Sequence, residues 1–213
     1  MVVKNIKEMG FIIFDNFFNP KNIKIDNLND TPIKDSEKIG LINNCELKKL
    51  LNNSYIYSLL HKRKIYIVYE CNPARLLSKY RYDIYIKLFY VKSFVENTNY
   101  EFAKDIYLSS IKAFNNFKEP DGTKKCKDDF LKKFNDLIIN IQENGFQKSI
   151  IPISKTGIPI DGAHRLSICL YFKIKIKFVV FDILDGKYDK YFFEKRGMDK
   201  KYIDYIDKIV EKY

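Results

Sequence analysis

The amino-acid sequence predicts a mixed α+β fold, and three observations lead to it. Residues 127–145, "KDDFLKKFNDLIINIQENG", place Phe130, Leu131, Phe134, Leu137, Ile138 and Ile141 in one apolar stripe at helical spacing. Residues 64–71, "KIYIVYEC", and 173–184, "KIKIKFVVFDIL", are rich in β-branched and aromatic residues over strand-like lengths. Between the helix and the second of these strands, "SIIPISKTGIPI" reads as a β-hairpin turning at Lys155-Thr156-Gly157. "DGAHRLSICLYF" follows it and turns into a helix that buries Leu166, Cys169 and Leu170.

The remaining elements follow in chain order. Residues 1–44 hold one apolar run, "GFIIFDNFF", which reads as a strand or short helix ahead of an irregular polar connection. Residues 45–60 place Leu47, Leu50, Leu51, Tyr55 and Leu59 near helical spacing, with Asn44 as the expected N-cap. The strand at 64–71 ends in the proline turn "NPAR". "YRYDIYIKLFYVKSFV", 80–95, is apolar almost throughout; its length and the spacing of Arg81, Asp83 and Lys87 favour a helix. A further helix is expected over 101–117, then a turn at "EPDGTKK", with Gly145 as the C-terminal cap of the striped helix. The tail reads as two short helices divided at Gly197, the second capped by Asp199 and striped by Tyr202, Ile203, Ile206, Ile209 and Val210. No repeat or flexible linker divides the chain. It is therefore expected to form one core over 61–185, with an elaboration at about 80–127, an N-terminal extension over 1–60 and C-terminal helices over 186–213.

Composition narrows the function classes. The 213 residues are 46% hydrophobic and 15% aromatic, enough for a sizeable core and contrary to global disorder. The net charge of +11 invites a polyanionic partner. Yet only Arg63, Arg75, Arg81, Arg165 and Arg196 among the 38 basic residues are arginine, and the lysines are spread along the chain. A nucleic-acid partner is therefore disfavoured. Cys45, Cys71, Cys126 and Cys169 form no C-x-x-C pair, and His61 and His164 are the only histidines, so an ordinary zinc site is not expected. Wide cysteine spacing suits reduced thiols, and the opening residues lack a signal-peptide pattern. No stretch approaches a membrane span. These readings together favour a cytoplasmic protein with no membrane partner.

The chemistry concentrates in "DGAHR", 161–165. The first amides of a helix lack intrahelical partners and carry partial positive charge. Gly162 permits a tight turn and close approach of an anion, Arg165 can grip phosphate oxygens, and His164 can donate to one or exchange a proton near neutral pH. Gly162, Ala163, His164 and Arg165 thus compose a candidate phosphate cradle. The plainer reading stands beside it: Asp161-Gly162 makes the turn, His164 is half-buried and Arg165 is solvated. The sequence leaves both open.

"IIPISKTGIPIDGAHRLSICLYFKIKIKFVVFD", with "IYIVYECNPAR" upstream, resembles the core of the ParB/sulfiredoxin superfamily. Members carry a hairpin, a D-G-x-H-R or G-E-R-R type motif, a helix and a further strand. The resemblance implies a small mixed sheet with helices, and covers roughly 64–185. Sulfiredoxins use a cysteine within G-C-H-R, whereas this chain has Ala163, which removes that chemistry. ParB proteins bind CTP and continue into a helix-turn-helix domain, for which residues 186–213 leave little room. Closest in motif are the free serine kinases of this fold, which share the D-G-H-H-R-like loop and use an acid from the first strand as base.

The resemblance therefore implies a nucleotide-dependent kinase that phosphorylates a hydroxyl group of a small molecule, with ATP or another nucleotide and Mg2+ as cofactors. Glu70, Asp161 and His164 are then the catalytic candidates, and Gly162, Ala163, His164 and Arg165 the phosphate ligands. Such proteins often accompany surface-polysaccharide genes, which suggests a sugar or amino-alcohol acceptor. Arg75, Arg81, Asp83 and Lys87 are candidates for holding the substrate, with a salt-bridged surface face as the alternative. Two other functions compete: a ParB-like CTP-binding or nuclease-like DNA-associated protein, and a non-catalytic nucleotide-binding module.

Overall fold

A computed structural model of the chain describes residues 34–51, 56, 64–119, 122–147, 149–183 and 186–211. Among them, seven α-helices accompany a four-stranded mixed sheet, an α+β architecture. The strands are β1 (Glu37–Asn43), β2 (Ile65–Cys71), β3 (Ile151–Ser154) and β4 (Ile176–Phe181). They lie in the order β1-β2-β4-β3, with β1·β2 and β2·β4 antiparallel and β3·β4 parallel. The helices are α1 (Asn44–Leu50), α2 (Tyr82–Glu96), α3 (Tyr100–Asn115), α4 (Lys127–Asn144), α5 (Ala163–Phe172), α6 (Lys190–Glu194) and α7 (Lys200–Val210).

The sheet separates two cores because alternate residues face opposite sides. Cys71, Ile151, Ile153, Ile176 and Phe178 face the larger core, which α2, α3, α4, α5 and α7 fill. Tyr66, Val68, Ile150, Val179 and Phe181 face the smaller one, closed by Ile42 on β1 and by Leu47 and Leu51 in and after α1. Helix α2 runs through the larger core and is buried continuously from Tyr82 to Ser93, packing against α3, α5 and α7. A helix that is apolar all round belongs inside, which explains why residues 80–95 show so little polar patterning.

Several local features follow the sequence expectation. Gly145 terminates α4 at φ 71°, and its N–H donates to the Ile141 carbonyl. Asp199 accepts from the Lys201 amide at the start of α7. The 151–160 hairpin closes through Ser154 N–H to Ile158 O and Ile160 N–H to Pro152 O, both at 2.8 Å. Its turn residue Gly157 has φ 87°, a conformation that favours glycine.

Two expectations are corrected. Residues 37–43, read as irregular connection, form β1: a bulge between Lys38 and Gly40 breaks its alternation, and pairing with β2 supplies the order that periodicity does not. The cap of α1 is Asn43, not Asn44. The Asn43 side chain accepts from the Glu46 amide at 3.0 Å while the Glu46 carboxylate accepts from the Asn43 amide. That reciprocal box places Glu46 at the third helical position, so the helix begins one residue beyond Asn43. The apolar run at 10–18 and most of the expected helix beyond Leu51 lie outside the described residues.

Leu166 on α5 is completely buried in the larger core. Leu166→Ala is expected to cost about 2–5 kcal/mol in urea unfolding. Tyr191→Ala, at a mostly exposed position, should stay within about 0.5 kcal/mol of the parent chain.

Candidate functional site

The turn at 161–165 is built by the hairpin. After the return segment pairs with β3, Gly162 takes φ 87° and ψ 18° and serves as the N-cap of α5 without a side-chain capping bond. Among the described residues, no side chain caps the first amides of α5. Beneath the turn lies Arg165, which is 6% exposed. Its guanidinium donates to Ser149 Oγ, to the Ile150 carbonyl at 3.4 Å and to Asp161 Oδ2 at 3.4 Å. A Cβ on Gly162 would lie 3.2 Å from Arg165 Nη2 and 3.3 Å from Ile151 Cγ1, so the glycine makes room for the arginine. Arg165 thus turns inward and braces the loop.

His164 is half-buried on the first turn of α5. Its Nε2 lies 3.0 Å from the Tyr107 hydroxyl, and its ring meets Phe134 edge-on at a centroid distance of 4.5 Å. Burial, joined by the charges of Lys87 and Lys124, holds the imidazole well below its ordinary pKa. The neutral ring is therefore the form present at pH 7.

Helix α2 brings a buried ionic group to the same place. Arg81, 2% exposed, donates Nε and Nη2 to the two oxygens of Asp83 at 2.7 and 2.8 Å. Its Nη1 donates to the Pro159 carbonyl, and its guanidinium lies 4.9 Å over the Tyr188 ring. Lys87, 5% exposed, donates to the Asp83 carbonyl at 3.2 Å and to Asp83 Oδ2 at 3.3 Å. Burial alone would raise the Asp83 carboxyl, but Arg81 and Lys87 outweigh it and hold it well below the usual carboxylate range. Burial pulls the Lys87 ammonium below its ordinary value despite Asp83, and the neighbouring Arg81 adds to that pull.

Arg81 feels the charge of Asp161, and His164 feels Lys87, Lys124, Asp83 and Arg165, so these residues form one electrostatic cluster. Lys124 is itself paired with Glu119 at 2.8 Å. Four cations, Arg81, Lys87, Lys124 and Arg165, face three carboxylates, Asp83, Asp161 and Glu119. The surplus is positive and favours an anion beside the α5 turn.

The sequence candidates thus divide. Asp161, Gly162, Ala163, His164 and Arg165 come together with Arg81, Asp83 and Lys87. Glu70 lies apart from them. Its strand neighbours Tyr69 and Cys71 face the larger core, so it points to the other side of the sheet, where it pairs with Lys175 at 3.2 Å. Arg75 is exposed and pairs with Asp35. Sequence reasoning did not single out Tyr107, Lys124 or Tyr188, because only the packing of α3, of the segment ahead of α4 and of the C-terminal segment brings them near 161–165.

Removing the Asp83 charge with Asp83→Asn leaves two buried cations without their carboxylate. A loss of about 3–5 kcal/mol in chemical denaturation is expected. His164 supplies a pH test. Its folded pKa is depressed, so below about pH 6.5 the unfolded chain takes up a proton that the folded chain refuses. Its contribution is complete above that pH and declines as the pH falls. Between pH 7 and 5 the parent chain should lose up to about 2 kcal/mol more than His164→Gln. Equal slopes for the two chains would contradict the assignment.

Comparison with family models, with curated proteins and with solved structures returned no match to this chain.

Proposed function

We propose that the chain binds a nucleotide through its phosphates at the first turn of α5 and transfers a phosphoryl group to a hydroxyl of a small molecule. The observation that carries the reading is the uncapped α5 N-terminus set among Asp161, His164 and a buried group of net positive charge. The resemblance of "DGAHR" to the phosphate loop of the small-molecule kinases supports the same assignment.

In this reading the Gly162, Ala163 and His164 amides hold phosphate oxygens, and the helix dipole adds to their pull. Lys87 and Arg81 offset the negative charge that spreads over the transferring group. Asp161, partly exposed, accepts the proton of the attacking hydroxyl; the oxygen of that hydroxyl bonds to phosphorus as the bond to the leaving nucleoside phosphate breaks. The reading gives this role to Asp161 instead of Glu70, whose carboxylate meets Lys175 across the sheet. No group of three or more His, Cys, Asp or Glu among the described residues could hold a metal alone. Magnesium arriving with a nucleotide would be held by the nucleotide's own phosphate oxygens and by water, which leaves Asp161 to the attacking hydroxyl.

A thermal-shift series with ATP, ADP and CTP in the presence of Mg2+ tests the binding. At a hundredfold excess over Kd the preferred nucleotide should stabilise the chain by about 2.7 kcal/mol. Asp161→Asn should keep that shift while phosphoryl transfer to a panel of hydroxyl compounds falls by about 10²–10⁴-fold. If none of the three nucleotides moves the transition, the phosphate-cradle reading fails. A shift without turnover on any acceptor would identify a binding module instead of a kinase.

A further inference from the structure

The sheet face turned away from α5 carries a groove of about 460 Å3 between β1, α1 and the residue preceding β3. Its volume falls in the range of small-molecule sites. The walls are Ile42, Leu50, Val68 and Ile150, and the groove is deepened by Gly40. Gly40 is the register partner of Val68, so the two share a face, and a Cβ on Gly40 would meet nothing within 4 Å. The missing side chain is therefore what leaves the space.

Lys49 from α1 and Lys177 from β4 also line the groove, and neither has a carboxylate partner among the described residues. Two carboxylates lie nearby, and one of them, Glu46, lines the groove itself. Glu46 caps the start of α1 through the Asn43 amide, and Glu70, opposite Lys177 in register, pairs with Lys175. An apolar trough flanked by two ammonium groups that lack a carboxylate partner among the described residues suits one kind of occupant. We propose that this groove binds a soluble amphiphile with an anionic head and a short apolar tail. The tail lies over Val68 and Ile150 in the space Gly40 leaves, and the head meets Lys49 and Lys177. At the volume of liquid water per molecule, the groove has room for on the order of fifteen non-hydrogen atoms, enough to seat a medium chain. This proposal does not depend on phosphoryl transfer.

Octanoate and 1-octanol, which share a chain and differ in charge, are the probes, titrated by calorimetry into the full chain. Octanoate is expected to bind at least tenfold more tightly than 1-octanol. In Lys49→Met/Lys177→Met that preference should fall to about one, a change that general destabilisation would not produce. Gly40→Leu fills the open space without strain and should abolish binding of both probes while the chain still melts cooperatively. If Gly40→Leu fails to fold, the selectivity of the double methionine variant decides the matter. Equal binding of the two probes, unchanged binding by Gly40→Leu, or no binding of octanoate overturns the proposal. So does binding to anionic phospholipid vesicles in the absence of octanoate binding, which would make the face a membrane contact.

Discussion

The buried guanidinium of Arg81 is the constraint on which the arrangement of the site depends. Three separate stretches of chain meet at it: Asp83 at the start of α2, Pro159 in the hairpin return and Tyr188 ahead of α6. The Tyr82 amide also donates to the Tyr188 carbonyl, and the Tyr188 amide donates to that of Tyr80. A charged group this deep is tolerable only when its donors are answered, and here they are met by a carboxylate and a backbone carbonyl. The C-terminal segment adds a second fastening, since Asp207 on α7 accepts from the Tyr82 hydroxyl and from Lys190 Nζ. The hairpin, and with it the α5 turn, is thereby held against the helix that dominates the larger core.

That construction explains the division of labour among the basic residues. Arg165 is nearest in sequence to the α5 N-terminus, yet its donors face Ser149, Ile150 and Asp161. Lys87 comes from a distant helix and, among the described residues, bonds to Asp83 alone. Positive charge surrounding the turn therefore comes from tertiary packing as much as from the motif itself. His164 completes the arrangement as a neutral ring against Tyr107 and Phe134, so the helical cover of α3 and α4 sets its protonation state.

What was legible in the sequence was whatever is decided locally. The stripe of α4, the Lys-Thr-Gly turn, the cap at Asp199 and the helical reading of 80–95 all depend on neighbours within a few residues, and each appears where expected. β1 was missed because Gly40 and the bulge erase its period and only β2 gives it order. At the site, Asp161, Gly162 and His164 announced themselves through the chemistry of a helix start. The direction of Glu70 depended on strand parity within a sheet whose pairing the sequence does not spell out. The convergence of Arg81, Asp83 and Lys87 on 161–165, and the roles of Tyr107 and Tyr188, required the packing of helices far apart in the chain.

The close approach of Gly162 to Arg165 has a consequence for descent. Alanine at 162 would press on both the guanidinium and Ile151 while its backbone stays in a left-handed conformation. A shorter residue at 165 would abandon Ser149, the Ile150 carbonyl and Asp161 together. Neither position can drift while the other stands still. Through divergence the pair should be inherited as one character, and a lineage that loses one member should be found to have rebuilt the whole turn.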